Sequence, residues 1–160
     1  MAQETPILSY SLIGKKLPDM TLPAFYEKDL KDIRLSAYKG TWLVLIFYPA
    51  DFTFICPTEL EIKKIAFPML ADPTGRLCRA LGTYIEEEGL SLRATFIIDP
   101  DQVIKAYDIH DNSIGRSTAE ILRKLQASKF VKEHKGMVCP VSWKPGGKTL
   151  KPGVNLVGKI

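Results

Sequence analysis

The stretch that most restricts the fold is the apolar run TWLVLIFY, residues 41–48, together with the cysteine that follows it. The run is continuous, β-branched and aromatic, which is typical of a strand covered on both faces by other elements. Pro57 comes directly after Cys56, and proline is well tolerated in a first helical turn because its missing N–H has no intrahelical partner there. We therefore predict a buried strand that delivers Cys56 to the start of a helix.

Predicted strands and helices alternate along the rest of the chain. The strands lie at 93–99 and 103–109, and the helices at 73–81 and from 117 to about 130. Asp72 is a suitable N-cap for the first of these helices, and the sequence STAE that opens the second is a capping box. The alternation predicts an α/β domain around a mainly parallel sheet, whose functional residues gather at the carboxyl ends of strands.

A length of 160 residues fits one domain, which we place at 1–130 and follow with a C-terminal tail at 131–160. Charge is uneven, because residues 123–160 carry a net +8 and the residues before them a net −4. A basic tail can meet nucleic acid or an acidic partner. Since neither aromatic residues nor an arginine cluster accompany it, we interpret the tail as a solvated surface and predict no nucleic-acid partner.

The sequence also limits the compartment and the cofactors. No apolar run reaches the roughly 18 residues of a membrane span, and the first residues do not resemble a signal peptide, so we predict a cytoplasmic protein with no membrane contact. No CxxC pair occurs and both histidines are distant from the cysteines, so no metal site is predicted. We also expect no bound cofactor, since a glycine-rich phosphate loop is missing.

Three cysteines, Cys56, Cys78 and Cys139, form an odd number, which favours chemistry over structural bridges in a cytoplasmic chain. Sulfur chemistry needs the thiolate, and the amino end of a helix with a nearby arginine lowers a cysteine pKa. Thr53 is close enough in sequence to place its hydroxyl beside the Cys56 sulfur, and Pro49 offers no backbone donor to water. The alternative is that Cys56 is only a small buried apolar residue.

The residues PADFTFIC, 49–56, have the Pro-x-x-x-Thr-x-x-Cys form of the peroxiredoxin active site. Further stretches, namely FYPADFTFICPTELE, LADPTG, EEEGLSLRATFIIDP, IHDNSIGRS and GMVCPVSWKPG, resemble the alkyl hydroperoxide reductase C branch of the typical two-cysteine peroxiredoxins. The resemblance extends from about residue 8 to Ile160. It implies a thioredoxin-like α/β fold.

The same resemblance implies roles for the site residues. Cys56 corresponds to the peroxidatic cysteine and Cys139 to the resolving cysteine, while Arg93 corresponds to the arginine that contacts thiolate and peroxide. Thr53 and Pro49 complete the active-site motif.

Glu59 and Arg116 correspond to residues that orient the pocket. Ordinary structural roles stay open, with Arg93 as a surface residue of an edge strand, Glu59 as a charge at a helix start and Arg116 as a turn residue. For Cys78 we favour a packing role over a redox role.

The implied reaction is the reduction of hydrogen peroxide and alkyl hydroperoxides through a cysteine sulfenic acid and an intersubunit disulfide. The implied partners are a second copy of the chain, in a homodimer or in a ring of dimers, and a thiol reductant, either a flavoprotein disulfide reductase or thioredoxin. The rival hypothesis is a non-catalytic oligomeric holdase or an inactive deletion variant.

Relative to the family, roughly three to four dozen residues are missing after Glu61. Either the chain is a true deletion, natural or engineered, or the sequence omits a segment of a longer chain. Loss of a central strand exposes the edges of its neighbours. In a continuous chain, the residues IAFPML at 65–70 can take the vacant position, with Pro68 confining them to an edge.

Overall fold

The computed structural model describes residues 11–49 and 66–154. In chain order the elements are β1 (Thr21–Tyr26), β2 (Asp29–Arg34), a 3-10 helix (Leu35–Tyr38), β3 (Leu43–Phe47), β4 (Met69–Leu70), α1 (Arg76–Ala80), β5 (Tyr84–Ile85), β6 (Leu90–Ser91), β7 (Arg93–Ile98), β8 (Ile104–His110) and α2 (Thr118–Glu133). The strands predicted at 41–48, 93–99 and 103–109 are therefore confirmed as β3, β7 and β8.

The main sheet has the order β3-β7-β8, so β7 is its central strand. Every residue of β7 is buried, as expected for a strand that is paired on both sides and covered on both faces. Phe96, in the middle of β7, packs edge-on against Phe47 of β3 and stacks on Tyr107 of β8. These rings tie the three strands into one apolar core.

Within the described residues the strand pairs are antiparallel, which corrects the expectation of a mainly parallel sheet. The reason is clear for β7 and β8, because the turn at 99–102 is too short for the crossover of a dozen or more residues that a parallel pair needs. Gln102 N–H donates to the Asp99 carbonyl at 2.8 Å and closes this turn.

A second sheet has the order β2-β1-β4. Its short strand β4 pairs with β1, so that Met69 faces Phe25 and Leu70 faces Ala24. The expectation that residues 65–70 occupy a position beside β3 is therefore wrong for the described part of that stretch. Met69 and Leu70 extend the neighbouring sheet instead.

Helix α1 begins three residues later than predicted, because Pro73 and Thr74 form a turn that ends at Gly75. Gly75 has φ +65°, and a Cβ atom built there would lie 2.6 Å from the Tyr84 ring, so only glycine fits. The prediction that Asp72 is the N-cap is wrong, because Gly75 holds that position, but the Asp72 carboxylate still accepts hydrogen bonds from the N–H groups of Arg76 and Cys78 at 3.0 and 2.9 Å.

Helix α2 begins as predicted, because the Ser117 hydroxyl accepts from Glu120 N–H at 3.3 Å, and it ends three residues beyond Phe130. It runs antiparallel to β8. Near its start Lys124 pairs with Asp108 at 2.6 Å, and near its end Lys132 pairs with Asp99 at 2.9 Å. The helix therefore lies along the strand direction, from the carboxyl end of β8 back to the turn that precedes β8.

The residues after α2 do not behave as a detached tail. Trp143 is only 5% exposed, and its ring centroid lies 5.0 Å from that of Phe130 on α2. A β-bridge joins Val138 to Leu150 and closes this segment into a loop. The prediction of a tail without a packing role missed Trp143, which lies among prolines, glycines and lysines that are typical of linkers.

None of the described helices combines the length and apolarity that a membrane crossing requires.

Candidate active site

Three strand ends meet at one edge of the main sheet. The register pairs Phe47, the last residue of β3, with Ala94 near the start of β7, and it pairs Arg93 with His110, the last residue of β8. We call this the arginine edge, defined by residues 47–49, 93–94 and 110–116. It includes the carboxyl ends of β3 and β8, where the sequence predicted functional residues.

Arg93 is a buried cation at the arginine edge. Its side chain belongs to a central strand and only 2% of the residue is exposed. The Nε–H group donates to the carbonyl of Asn112 at 3.0 Å, which fixes the orientation of the guanidinium. A charge taken out of water is costly, and proteins rarely keep one without a specific use or partner. The alternative that Arg93 is a surface residue of an edge strand is therefore wrong.

Arg116 reaches back from the loop after β8 to both neighbouring strands. Its terminal nitrogen donates to the carbonyls of Phe47 and Ala94, each at 2.7 Å. One cation thus holds the end of β3 against the start of β7, directly beside Arg93. Arg116 is therefore not a plain turn residue, because it donates to the carbonyl of Phe47, which lies 69 positions earlier in the sequence.

Three predicted site residues, Thr53, Cys56 and Glu59, lie outside the described residues. Pro49 is described, and it follows Phe47 by two positions, so the chain leaves the arginine edge as it enters the motif at 49–56. The structure therefore brings Pro49, Arg93 and Arg116 to one edge. The roles of Thr53, Cys56 and Glu59 stay predictions.

Sequence reasoning missed two residues beside Arg93. Asn112 supplies the carbonyl that accepts from Arg93, and His110 lies opposite Arg93 in the ladder. Their buried side-chain atoms, His110 Nδ1 and Asn112 Oδ1, have no hydrogen-bond partner in the part of the chain that is described. The sequence held enough information to place His110 beside Arg93, because pairing the two predicted strands through the 99–102 turn brings residue 110 near residue 93.

Cys139 lies on the loop after α2, whose Trp143 packs against Phe130 of that helix. It is partly buried, and this burial raises the pKa of its thiol, while the positive charge of Arg123 lowers it. Arg123 is itself held by Glu120, whose carboxylate lies 2.6 Å from its Nε. The cation near Cys139 is therefore Arg123, which is not one of the two arginines of the arginine edge.

Cys78 is a core residue. It lies on α1 with 7% exposure, and burial raises the pKa of its thiol above the ordinary value. A thiol that is buried and not ionised is a poor nucleophile. The packing role favoured from the sequence agrees with these observations.

Across residues 11–49 and 66–154, His, Cys, Asp and Glu side chains do not gather in groups of three that could hold a metal ion.

Comparison with known proteins places this site in context. The sequence model of the AhpC/TSA family matches residues 13–62 and 61–107. The alkyl hydroperoxide reductase C of Pseudomonas aeruginosa is 39% identical over 186 residues, which cover 94% of this chain and 100% of the relative. The Escherichia coli K12 protein of the same name is 37% identical with the same coverage.

Solved structures of an AhpC and of a 2-Cys peroxiredoxin have folds similar to that of this chain. The Enterococcus faecalis AhpC crystal structure has a TM-score of 0.77 and 36% identity, and the match covers 81% of this chain and 99% of that one. The reduced Plasmodium vivax 2-Cys peroxiredoxin has a TM-score of 0.84 at 24% identity, covering 89% and 94% of the two chains. The fold is therefore the thioredoxin-like fold of the peroxiredoxins, as the sequence resemblance implied.

The Pseudomonas relative is longer than this chain. The 186 aligned residues of the Pseudomonas protein exceed the 160 residues here, so at least 26 of its residues have no counterpart. The two segments matched by the family model meet at residues 61–62. This is the position at which the sequence resemblance located a missing family segment.

Proposed function

Since the chain belongs to the AhpC/TSA family, we propose that it is a thiol-dependent peroxidase that reduces hydrogen peroxide and alkyl hydroperoxides. The observation that supports this most is the buried guanidinium of Arg93 at the sheet edge where the chain enters the motif at 49–56. A fixed cation in a site of low polarity stabilises negative charge far more than one in water does.

In the proposed first step, the Cys56 thiolate attacks the terminal oxygen of the peroxide. A sulfur–oxygen bond forms, the oxygen–oxygen bond breaks, and the departing oxygen takes a proton and leaves as water or an alcohol. Cys56 is oxidised to a sulfenic acid. The guanidinium of Arg93 and the hydroxyl of Thr53 stabilise the charge that develops on the breaking bond.

Arg93 also favours the reactive form of the cysteine before the reaction. A free cysteine has a pKa of about 8.5, so only a few per cent is ionised at neutral pH. A nearby positive charge favours the thiolate, and a guanidinium does not lose its proton in this pH range. Arg116 acts as a positioning residue, because its two carbonyl contacts hold β3, and with it Pro49, in line with Arg93.

In the proposed second step, the Cys139 thiol of a second copy attacks the sulfenic sulfur. Water leaves, and an intersubunit disulfide joins the two chains. A thiol reductant then exchanges with this disulfide and returns both cysteines to thiols. We propose a homodimer as the working unit. A ring of dimers, a flavoprotein or thioredoxin as reductant, and a cytoplasmic location stay predictions.

Peroxide consumption by the Cys56→Ser variant tests the proposed chemistry. We expect turnover with a thiol reductant to fall to background, since serine cannot form the sulfenic acid. Cys78→Ser is the matched control, because Cys78 is a packing residue and its variant is expected to keep turnover. Unchanged turnover in Cys56→Ser would end the proposal, and loss in Cys56→Ser alone supports it over a holdase.

A gel without reductant tests the role of Cys139. After treatment with peroxide, the wild-type chain is expected to run as a disulfide-linked dimer, and Cys139→Ser as a monomer. A monomer band from the oxidised wild-type protein contradicts an intersubunit disulfide. A dimer band from Cys139→Ser assigns the bridge to another cysteine.

A further inference from the structure

Buried polar atoms without a partner are concentrated at the arginine edge. In the part of the chain that the structure describes there are three such side-chain atoms, and two of them are His110 Nδ1 and Asn112 Oδ1. The third, Gln102 Nε2, lies at the other end of β8, in the turn at 99–102. An unpaired buried polar atom is costly, so native proteins keep few of them, and a bound ligand or a reaction is a common reason for those that remain.

Both residues adjoin the same buried cation. His110 lies directly opposite Arg93 in the antiparallel ladder. Directly paired residues project from the same face of a sheet, with their Cβ atoms about 5 Å apart. Asn112 is next to the guanidinium as well, because its carbonyl accepts from the Nε–H group of Arg93 at 3.0 Å. The two unpartnered atoms thus belong to immediate neighbours of Arg93.

The loop after β8 is held by contacts other than these two side chains. The Asp111 carboxylate accepts from Ser113 N–H at 2.8 Å, and Arg116 donates to carbonyls of both neighbouring strands. Among the described residues, the imidazole of His110 and the amide group of Asn112 make none of the hydrogen bonds that shape this loop. The fold therefore gives no reason for a polar side chain at either position.

The two unpartnered atoms are complementary to a hydroxyl group. A side-chain amide oxygen only accepts hydrogen bonds, and the Nδ1 atom of an imidazole donates in one of its two neutral tautomers. A hydroxyl group can therefore donate to Asn112 Oδ1 and accept from His110 Nδ1–H at the same time. An alkyl group can do neither, and it would leave both polar atoms buried and unpaired.

We propose that His110 and Asn112 form a polar subsite beside Arg93 that selects hydrogen peroxide over bulky apolar hydroperoxides. This inference rests on the proposed peroxidase function. In hydrogen peroxide the departing oxygen belongs to a hydroxyl group, whereas in an alkyl hydroperoxide it carries carbon. The hydrogen bond from His110 becomes stronger as negative charge develops on the departing oxygen, so it favours the transition state over the bound substrate.

The subsite adds hydrogen bonds to the proposed first step and changes none of its bonds. The sulfur–oxygen bond forms at the attacked oxygen, the oxygen–oxygen bond breaks, and the departing hydroxide takes one proton from solvent and leaves as water. His110 and Asn112 neither gain nor lose a proton. They therefore determine which peroxide is preferred, while the nucleophile and the cation of the proposed reaction stay the same.

Steady-state kinetics with hydrogen peroxide and tert-butyl hydroperoxide test this assignment. We expect the wild-type kcat/KM to be about hundredfold higher for hydrogen peroxide, because a site built to bond a hydroxyl group rejects an analogue that lacks it. His110→Leu and Asn112→Leu are each expected to lower this preference by about tenfold. His110→Gln keeps a polar side chain and is expected to retain most of the preference.

Two control variants separate the subsite from general effects of substitution. Gln102→Met removes the third unpartnered atom, which lies at the opposite end of β8. His134→Leu removes the other histidine of the chain, which is exposed after α2. Each control is expected to change the peroxide preference by less than about twofold. An equal loss of preference in the controls and in the subsite variants overturns the inference.

Denaturant unfolding gives a second readout that needs no turnover. Each leucine variant replaces an unpartnered polar group with an apolar group of comparable size, so we expect its unfolding midpoint to equal or exceed that of the wild type. A clear fall in the midpoint would assign the two side chains to the fold and overturn the inference. An unchanged peroxide preference in folded leucine variants overturns it as well and leaves the proposed function intact. If the wild-type chain consumes neither peroxide, the proposed function fails and the inference fails with it.

Discussion

The two ends of β7 each hold a buried charge, but the two charges lie in different surroundings. Arg93 opens the strand at 2% exposure, and Asp99, one residue past its end, is 4% exposed. They lie at opposite ends of the central strand of the main sheet, and desolvation of a buried charge is costly. The comparison of their surroundings supports our proposal that Asp99 has a structural role and Arg93 a functional one.

Asp99 is enclosed by partners that belong to the fold. Its carboxylate accepts from Asp101 N–H at 2.9 Å, from Val103 N–H at 3.0 Å and from the Lys132 ammonium at 2.9 Å. Burial pushes the pKa of Asp99 upward, but the ammonium and the two amides together hold it below its ordinary value. These contacts close the turn between β7 and β8 and attach the end of α2 to it.

Arg93 lies instead where the chain enters the predicted catalytic motif. Its Nε–H bonds a neutral carbonyl, that of Asn112, and a second arginine, Arg116, holds the neighbouring strand ends. Two guanidinium groups therefore lie at this end of the strand, and a guanidinium favours an anion beside it. We infer that the Asp99 end of β7 serves stability and that the Arg93 end serves binding and chemistry.

The largest expected effect is at the arginine end. Arg93→Met is expected to lower kcat/KM for peroxide by about 10²–10³-fold, which is typical for loss of one group that stabilises charge in a transition state. Steady-state peroxide consumption measures this, and denaturant unfolding of the same sample controls for folding. Arg93→Lys is expected to recover only part of the activity, since lysine keeps the charge but not the planar guanidinium. Near wild-type kinetics in Arg93→Met would contradict the proposal that the Arg93 end of β7 serves binding and chemistry.

The second largest effect is expected on the stability of the fold, for a substitution at the Asp99 end of β7. Asp99→Asn is expected to lower the free energy of unfolding by about 2 kcal/mol, because it leaves the amides and Lys132 without their carboxylate. Peroxide turnover at a temperature where the variant is folded is expected to stay within about twofold of wild type. Denaturant titration and initial rates give both numbers. A variant that is fully stable but inactive would show that the Asp99 end also takes part in the chemistry.

This contrast also shows what the sequence alone can predict. The β3 strand, the turn at 99–102 and the Ser117 cap follow from local patterns, since each depends on a few adjacent residues. The neighbourhood of Arg93 depends on pairing between strands far apart in sequence, so His110 and Asn112 were missed even though Arg93 itself was identified through its motif. The direction of the β3–β7 pair was wrong for the same reason, whereas the antiparallel β7–β8 pair could have been inferred from the short turn at 99–102.

Trp143 illustrates a second limit. Its surroundings in sequence are rich in proline, glycine and lysine, which favours a linker, and only the contact with Phe130 on α2 reveals that it is buried. Composition describes the average behaviour of a segment, whereas one aromatic residue is enough to attach that segment to the domain. Packing of this kind depends on tertiary structure.

The smallest effect concerns the ammonium that faces Asp99. Lys132→Met is expected to lower the free energy of unfolding near neutral pH by less than Asp99→Asn does, because the lysine is 31% exposed and the amides of the turn remain. Lys129→Met, on the exposed side of the same helix, is the matched control and is expected to change stability by less than about 0.5 kcal/mol.

The pH dependence of this difference has a definite sign. The pKa of Asp99 is lower in the folded chain than the value of about 3.9 in an unfolded one, so the stabilisation is complete above that pH and is lost as pH falls through the folded value. The pKa of Lys132 is raised by Asp101 and Asp99, so the pair persists into alkaline solution. The gap between wild type and Lys132→Met is therefore expected to be constant from about pH 5 to pH 9 and to close in stronger acid. A gap that is absent near neutral pH, or that does not change in stronger acid, would mean that the Lys132 ammonium does not lower the pKa of Asp99 in the folded protein.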